Sequence, residues 1–333
     1  MTRTTRILGS LAVFLLSCAQ PAKQDAAVSR PAWCANLPRA AYATLERVNL
    51  PTDWFEVYRV GDGVYAIYEP KQFQEVISYL ILGSTRALLF DTGLGIGNIK
   101  AVARHLTALP LVVLNSHTHY DHTGGNAAFD SILAVNSAYT RENSLGFRHE
   151  QLQGEVAPEA FCAPTPAGFD ASRYMVKKWT PTQLIGDNER VDLGGRQLRV
   201  LQVPGHTPDA TALWDSTAGY LWTGDSFYEG PIWLFVDETD WPAYAHSVDR
   251  MAALVPSLVK VFPSHNVASS DPKLLLQLQR AVREVQGGQA KPTPGNGDQV
   301  TYDFGAFSLL TSKHALAGPS PNAVGGSGLS TPK

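Results

Sequence analysis

Short apolar runs separated by glycine-containing turns dominate the chain from residue 55 to residue 135. Residues 55–60 and 64–68 flank Gly61-Asp62-Gly63, the pattern of a β-hairpin. Two more strands are expected at 78–82 and 87–90, split by Gly83-Ser84, the second ending at Asp91-Thr92-Gly93. At 99–109 the period changes. Val102, Leu106 and Leu109 share one helical face, and Pro110 marks the end. The run at 111–114 reads as a buried strand leading straight to His117, and 131–135 as another short strand. Strands return at 191–193 and 198–203, turning at Gly194-Gly195, and 210–215 with 220–223 make a further hairpin. Asp240 or Thr239 caps a helix running to about residue 255, with Pro242 in its first turn. Residues 260–262 form a strand that ends at His265, 272–286 a helix, and 301–304 a last strand. Strands followed by a helix occur twice. That order implies an α+β architecture, two β-rich halves packed together with helices outside.

The two ends break this pattern. Arg3 and Arg6 precede an apolar run at 7–16, which is too short for a bilayer span of roughly 20 residues and reads as a signal peptide over 1–17. Its end, Leu15-Leu16-Ser17-Cys18, resembles a bacterial lipobox, which implies cleavage before Cys18 and acylation of that cysteine. An ordinary signal with a chance cysteine is the plainer alternative. No Asp follows Cys18 to mark inner-membrane retention, so the expected address is the periplasm, on an outer-membrane lipid anchor. Residues 18–32 then form a tether, 33–314 the folded domain, and the Gly/Ser/Pro-rich stretch 315–333 a disordered tail. With Cys18 lipidated, Cys34 and Cys162 remain, either bridged in an oxidising compartment or present as two small apolar residues. The chain carries 27 basic and 30 acidic residues, a net charge of −3, and no basic block longer than a pair. A nucleic-acid partner has no electrostatic footprint here. A small molecule is the expected partner, with the membrane touched only through the anchor.

The densest chemistry is His117-Thr118-His119-Tyr120-Asp121-His122, four potential ligands within six residues at the exit of an apolar run. Imidazole nitrogen and carboxylate oxygen together suit zinc, with iron or manganese as alternatives. Three more candidates follow strands in the same way: His206 after Pro204-Gly205, Asp225 after Gly224, and His265 after Pro263-Ser264. A single histidine at a strand end is usually a satisfied polar residue. Five of the nine histidines placed this way argue for ligands.

The ordered set H-x-H-x-D-H, P-G-H-T, T-G-D and P-S-H resembles the signature of the metallo-β-lactamase superfamily, over about residues 55 to 290. The resemblance implies a four-layer αββα sandwich with metals at one edge. It implies that His117, His119 and His206 hold one zinc, that Asp121, His122 and His265 hold a second, and that Asp225 bridges them. Asp91 in D-T-G matches the family's acidic residue after an early strand, where it orients a ligand or the loop; a turn-capping aspartate is the other reading. The implied chemistry is hydrolysis by a zinc-activated water, with Asp121 orienting it or passing on its proton. No G-x-S-x-G elbow is present.

By the same resemblance, Asp at 225 favours a small-molecule thioester, lactone or ester over a β-lactam, although an exported class B-like β-lactamase is the natural alternative. A mono-iron persulfide dioxygenase shares the motif, and His119 counts against the flavin-linked di-iron type. A non-catalytic metal-binding module is the alternative outside enzymes. The polar stretch 136–188 is expected to form a lid-like insert. Its Phe147, Phe161, Phe169, Tyr174 and Trp179 either line the substrate cavity or pin the insert to the body. Tyr228 is the candidate donor to a substrate carbonyl oxygen, or else packs with its aromatic neighbours.

Overall fold

The computed structural model describes Met1 and residues 30–317. The signal peptide, Cys18, the tether up to residue 29 and the tail beyond 317 lie outside the described residues. Strands β1 (Glu46–Val48), β2 (Glu56–Gly61), β3 (Val64–Tyr68), β4 (Ile77–Leu82), β5 (Ala87–Phe90), β6 (Leu111–Leu114), β7 (Ile132–Ala134) and β8 (Gln183–Leu184) form one sheet in chain order. Downstream follow β9 (Arg190–Asp192), β10 (Gln197–Gln202), β11 (Thr211–Asp215), β12 (Tyr220–Gly224), β13 (Gly230–Leu234), β14 (Lys260–Pro263), β15 (Thr293–Pro294), β16 (Gln299–Asp303) and β17 (Phe307–Ser312). Five of these make a second sheet, β14-β12-β11-β10-β9, and the other four a third, β13-β17-β16-β15. The main helices are α1 (Ile99–Leu106), α2 (Tyr120–Thr123), α3 (Ala138–Asn143), α4 (His149–Leu152), α5 (Trp241–Ala252), α6 (Lys273–Gln286) and α7 (Lys313–Ala317).

Apolar faces pair to give the expected four-layer αββα sandwich. Tyr68, Tyr79 and Phe90 of the first sheet meet Leu213, Trp222 and Phe262 of the second in one buried core. The outer face of the first sheet, through Leu80, Leu89 and Val113, packs on Ile99, Val102 and Ala103 of α1. The outer face of the second, through Leu221 and Val261, packs on Val248 and Met251 of α5 and Leu275 and Leu278 of α6. β5 and β6 are apolar throughout because they pair in parallel and are covered on both faces. The hydroxyl of Tyr79 crosses to the other half, donating to the carbonyls of Pro263 and Ala268 at 2.7 and 3.0 Å.

Direction of the strands sets the site. β5 and β6 run parallel, as do β12 and β14. β10 is antiparallel to β11 and β11 to β12, so β10 shares the direction of β12. The carboxyl ends of all five therefore deliver Asp91, His117, His206, Asp225 and His265 to one edge of the sandwich.

Several expectations need correction. α1 stops at Leu106, where Thr107 turns extended and its hydroxyl accepts the Leu109 N–H. The third sheet went unread: β13 carries Gly230 and Pro231, both poor strand formers, and β17 follows the expected last strand. Regular structure continues through α7, whose Ala315 is buried. The insert aromatics pin rather than line. Phe147, Tyr174 and Trp179 sit in the core beneath α1, with Phe161 and Phe169 packed against it.

Cys34 and Cys162 form a disulfide with their Cα atoms 5.6 Å apart, spanning 128 positions of sequence. It fastens the segment before β1 to the insert. Converting both cysteines to serine is expected to cost about 2–5 kcal/mol through the freed unfolded chain, read as a lower denaturant midpoint. An unchanged midpoint would show that the bridge adds nothing to stability.

Candidate metal centre

Gly224 and Gly124 make the close approach of loops possible at this edge. At Gly224 the backbone is left-handed (φ +53°), and a Cβ there would sit 2.4 Å from the Cβ of Ser116. Gly124 has ordinary helical torsions, but a Cβ on it would lie 2.2 Å from the backbone of Leu94. The missing side chain therefore lets α2 lie against the Gly93-Leu94 backbone. Thr211 draws the two sheets together, its N–H donating to the Ser116 carbonyl at 2.6 Å.

All seven expected ligand residues converge and are buried or nearly so. His117 Nε2 lies 2.8 Å from His119 Nδ1, which lies 3.3 Å from His206 Nε2. Asp121 Oδ2 lies 3.5 Å from His122 Nε2 and 3.8 Å from His265 Nε2. Asp225 stands between these groups. Its Oδ1 is 3.3 Å from His122 Nε2, and its Oδ2 is 3.1 Å from His265 Nε2 and 3.7 Å from His206 Nε2.

Each imidazole is aimed by a partner on its outer nitrogen. Nδ1 of His206 faces the Trp233 carbonyl at 2.8 Å, and Nδ1 of His265 the Gln74 carbonyl at 2.6 Å. Nδ1 of His117 faces the Ser116 hydroxyl at 3.0 Å, and Nδ1 of His122 the Asp91 carboxylate at 2.9 Å. His119 is turned the other way, with Nε2 on Glu238 at 3.2 Å and Nδ1 inward. With the outer nitrogens carrying the protons, five lone pairs face one another across short gaps.

Burial pushes His117 well below the usual histidine range, helped by the neighbouring imidazoles, and lowers His206 to about 4. Burial opposes the charge on His122 too, but Asp121, Asp225 and Asp91 outweigh it and raise its pKa. Asp225 is likewise opposed by burial, yet His265 and His122 hold its carboxyl well below the carboxylate range. Nε2 of His122 and Oδ1 of Asp225 are fully buried and have no hydrogen-bond partner. Buried polar atoms without partners are costly, and a cation held between a neutral His122 and the Asp225 carboxylate satisfies both. The donor set of nitrogen and carboxylate oxygen fits a metal centre.

Asp91 sits outside the inner group. Its Oδ1 accepts the Ser116 N–H at 2.6 Å, and its Oδ2 accepts the hydroxyls of Ser116 and Ser264 at 2.9 and 3.0 Å, besides facing His122. Tyr228 departs from expectation. It lines the cavity over the centre, but its hydroxyl donates to the Pro231 carbonyl and accepts the Trp233 N–H, and its ring packs on His265 at 5.0 Å. Its only proton is thus spent on backbone. Glu238 was missed. It also accepts the Tyr139 hydroxyl at 2.7 Å, and although burial opposes its charge, the His119 contact brings its carboxyl down to about 2. No motif marks it, since it reaches His119 from a loop far along the chain.

The class defined here is an αββα sandwich with a buried histidine–carboxylate cluster at one edge whose groups could hold a metal ion. Residues 74–265 match the Lactamase_B family, the metallo-beta-lactamase superfamily, and the chain belongs to it. It is 29% identical over 231 residues to the acyl-coenzyme A thioesterase MBLAC2 of Bos taurus, covering 64% of this chain and 81% of that protein. It is 28% identical over 260 residues to the hydroxyacylglutathione hydrolase of Anaeromyxobacter dehalogenans (strain 2CP-C), covering 74% and 88%. The fold matches the sec-alkylsulfatase Pisa1 from Pseudomonas sp. with a TM-score of 0.53 at 17% identity, over 70% of this chain and 42% of that one, a likeness of fold alone.

Replacing Asp91 by Ala is expected to weaken metal binding about 10–100-fold, because His122 loses its outer partner. Competition with a chelator measures this. Unchanged affinity in a folded variant would mean that His122 keeps its aim without Asp91.

Proposed function

We propose that this chain is a metal-dependent hydrolase of small-molecule thioesters that holds two zinc ions. The carrying observation is the placement of Asp225, whose carboxylate reaches His206 on one side and His122 and His265 on the other. His117, His119 and His206 would hold one ion, and Asp121, His122 and His265 the other, with Asp225 shared. The donor atoms of each triad lie within 4.8 Å of one another, and a third such group joins Asp225 with His117 and His122. Ions held there would supply Lewis acidity toward a carbonyl and toward water.

The remaining work falls to the chain. Asp121 lines the cavity beside the inner nitrogens, where its carboxylate can hold a water proton and pass it on. Trp233, Phe235 and Val236 give the same cavity an apolar wall, which excludes bulk water and receives an acyl group. Glu238 keeps the His119 ring fixed through Nε2. The names carried by the relatives, an acyl-coenzyme A thioesterase and a hydroxyacylglutathione hydrolase, favour a thioester among the carbonyl substrates. We also propose export, with a lipid anchor at Cys18. The Cys34–Cys162 bridge supports an oxidising compartment.

Metal content and turnover test the first reading together. The purified protein is expected to carry about two zinc ions and to hydrolyse acyl thioesters, with activity lost on chelation and restored by zinc. Asp121→Ala is expected to lower kcat about 10²–10⁴-fold while the fold persists. Turnover of a chromogenic cephalosporin without thioester hydrolysis would transfer the function to a β-lactamase, and a zinc-loaded protein inert to esters, lactones and thioesters would be a binding module. For the anchor, mass spectrometry of the mature protein should find an acylated Cys18 at its N-terminus; an unmodified Cys18 inside a longer chain would refute it.

A further inference from the structure

Glu155 stands out among the acidic residues near the centre. It lies in the insert, in the short 3-10 turn Gln153–Val156, and is 6% exposed, yet it lines the same cavity as Asp121 and Asp225. Its Oε2 has no hydrogen-bond partner. Glu69, buried just as deeply, is a useful contrast. Its two oxygens accept the Trp54 indole N–H at 2.5 Å and the Leu94 N–H at 3.0 Å. Glu69 is therefore satisfied by the protein, whereas Glu155 keeps an oxygen unpaired beside a cavity. Burial pushes the Glu155 carboxyl up to about 7, with the Tyr120 hydroxyl only partly offsetting it.

The residue is held firmly in place. Its backbone carbonyl accepts Gln72 Nε2 at 3.1 Å, Gln72 pairs with Phe161, and the next residue, Cys162, is bonded to Cys34. A buried carboxylate short of donors is destabilising, and a donor from a bound ligand removes that cost. The other polar side chains on this wall, Gln74, Gln151 and Tyr120, are uncharged, and the Tyr120 hydroxyl accepts Gln74 Nε2 at 2.6 Å. No Lys or Arg lines the cavity among the described residues. The wall thus suits a neutral N–H donor and disfavours an anionic group.

We infer that Glu155 determines specificity for the leaving thiol, accepting a hydrogen bond from an uncharged secondary amide carried on the thiol arm. This rests on the thioesterase reading. The acyl group then lies on the Trp233, Phe235 and Val236 side, and the amide-bearing arm on the insert side. The substrate class is an acyl thioester whose thiol carries a neutral amide close to sulfur.

Two thioesters with the same acyl group test this, one of N-acetylcysteamine and one of 2-mercaptoethyl acetate, in which an ester oxygen replaces the amide N–H. The full-length zinc-loaded protein is expected to favour the amide compound in kcat/KM by about 10-fold, the value of one hydrogen bond. In Glu155→Ala the ratio is expected to fall close to one, and in Glu155→Gln, which keeps a neutral acceptor oxygen, to an intermediate value. A purely structural role for Glu155 would scale both substrates together and leave the ratio alone, which would overturn the inference. So would the absence of any preference in the unsubstituted protein, a result that needs no variant to fold. If neither thioester is hydrolysed, the thioesterase reading itself fails and this inference falls with it.

Discussion

The Asp91 carboxylate is the point on which the site depends. It follows β5 in a left-handed conformation, φ +67°, that few residues other than glycine adopt. From there it gathers the backbone and hydroxyl of Ser116 after β6, the imidazole of His122 on α2, and the hydroxyl of Ser264 after β14. Those partners come from both halves of the sandwich. Opening any one of them would leave a buried charge without its donors, which costs several kcal/mol. The three loops are thereby locked to one another, and the candidate ligands at 117, 122 and 265 inherit their positions from that lock. The bare glycine at 224 serves the same end, since only a missing Cβ lets its loop lie against Ser116.

The inner shell has a corresponding asymmetry. His117 and His206 are kept neutral by burial, and their outer nitrogens rest on a hydroxyl and a carbonyl. His119 and His122 lean on carboxylates instead, Glu238 and Asp91. A carboxylate behind an imidazole raises its basicity and strengthens it as a ligand. Each candidate triad of donors contains one such histidine, so the outer charge is distributed across the centre rather than concentrated on one side.

Much of this was legible in the sequence because the candidate ligands lie just after apolar runs that read as buried strands. Chain position and geometry coincide there: a parallel arrangement puts strand ends on one edge, and the spacing within 117–122 does the rest. What was not legible depends on contacts between distant segments. Glu238 meets His119 from across the fold, and Ser116 and Ser264 are marked only by standing next to His117 and His265. The insert aromatics could not be assigned to cavity or core from composition, because both need the same residue types. Tyr228 was read from proximity to Asp225, which is correct as a location, but its hydroxyl is claimed by the backbone of a strand that Gly230 and Pro231 disguised. The resemblance to a known family named the ligands; it did not reach the residues that aim them.

The segment before β1 shows how far the support extends. Arg39 donates to both oxygens of Glu75 at 2.7 Å and to Asn266 Oδ1 at 2.8 Å. Glu75 and Asn266 are both left-handed, at φ +47° and +67°. One follows Gln74, whose carbonyl aims His265, and the other follows His265 itself. Arg39 thus clips together the two turns that set this ligand, and a planar guanidinium suits the task because it can bind both at once. Cys34, five positions earlier, ties the same segment to the insert that carries Glu155. A stretch with no candidate ligand of its own therefore connects the histidine cluster on one side of the cavity to Glu155 on the other, and disturbing it should be felt on both.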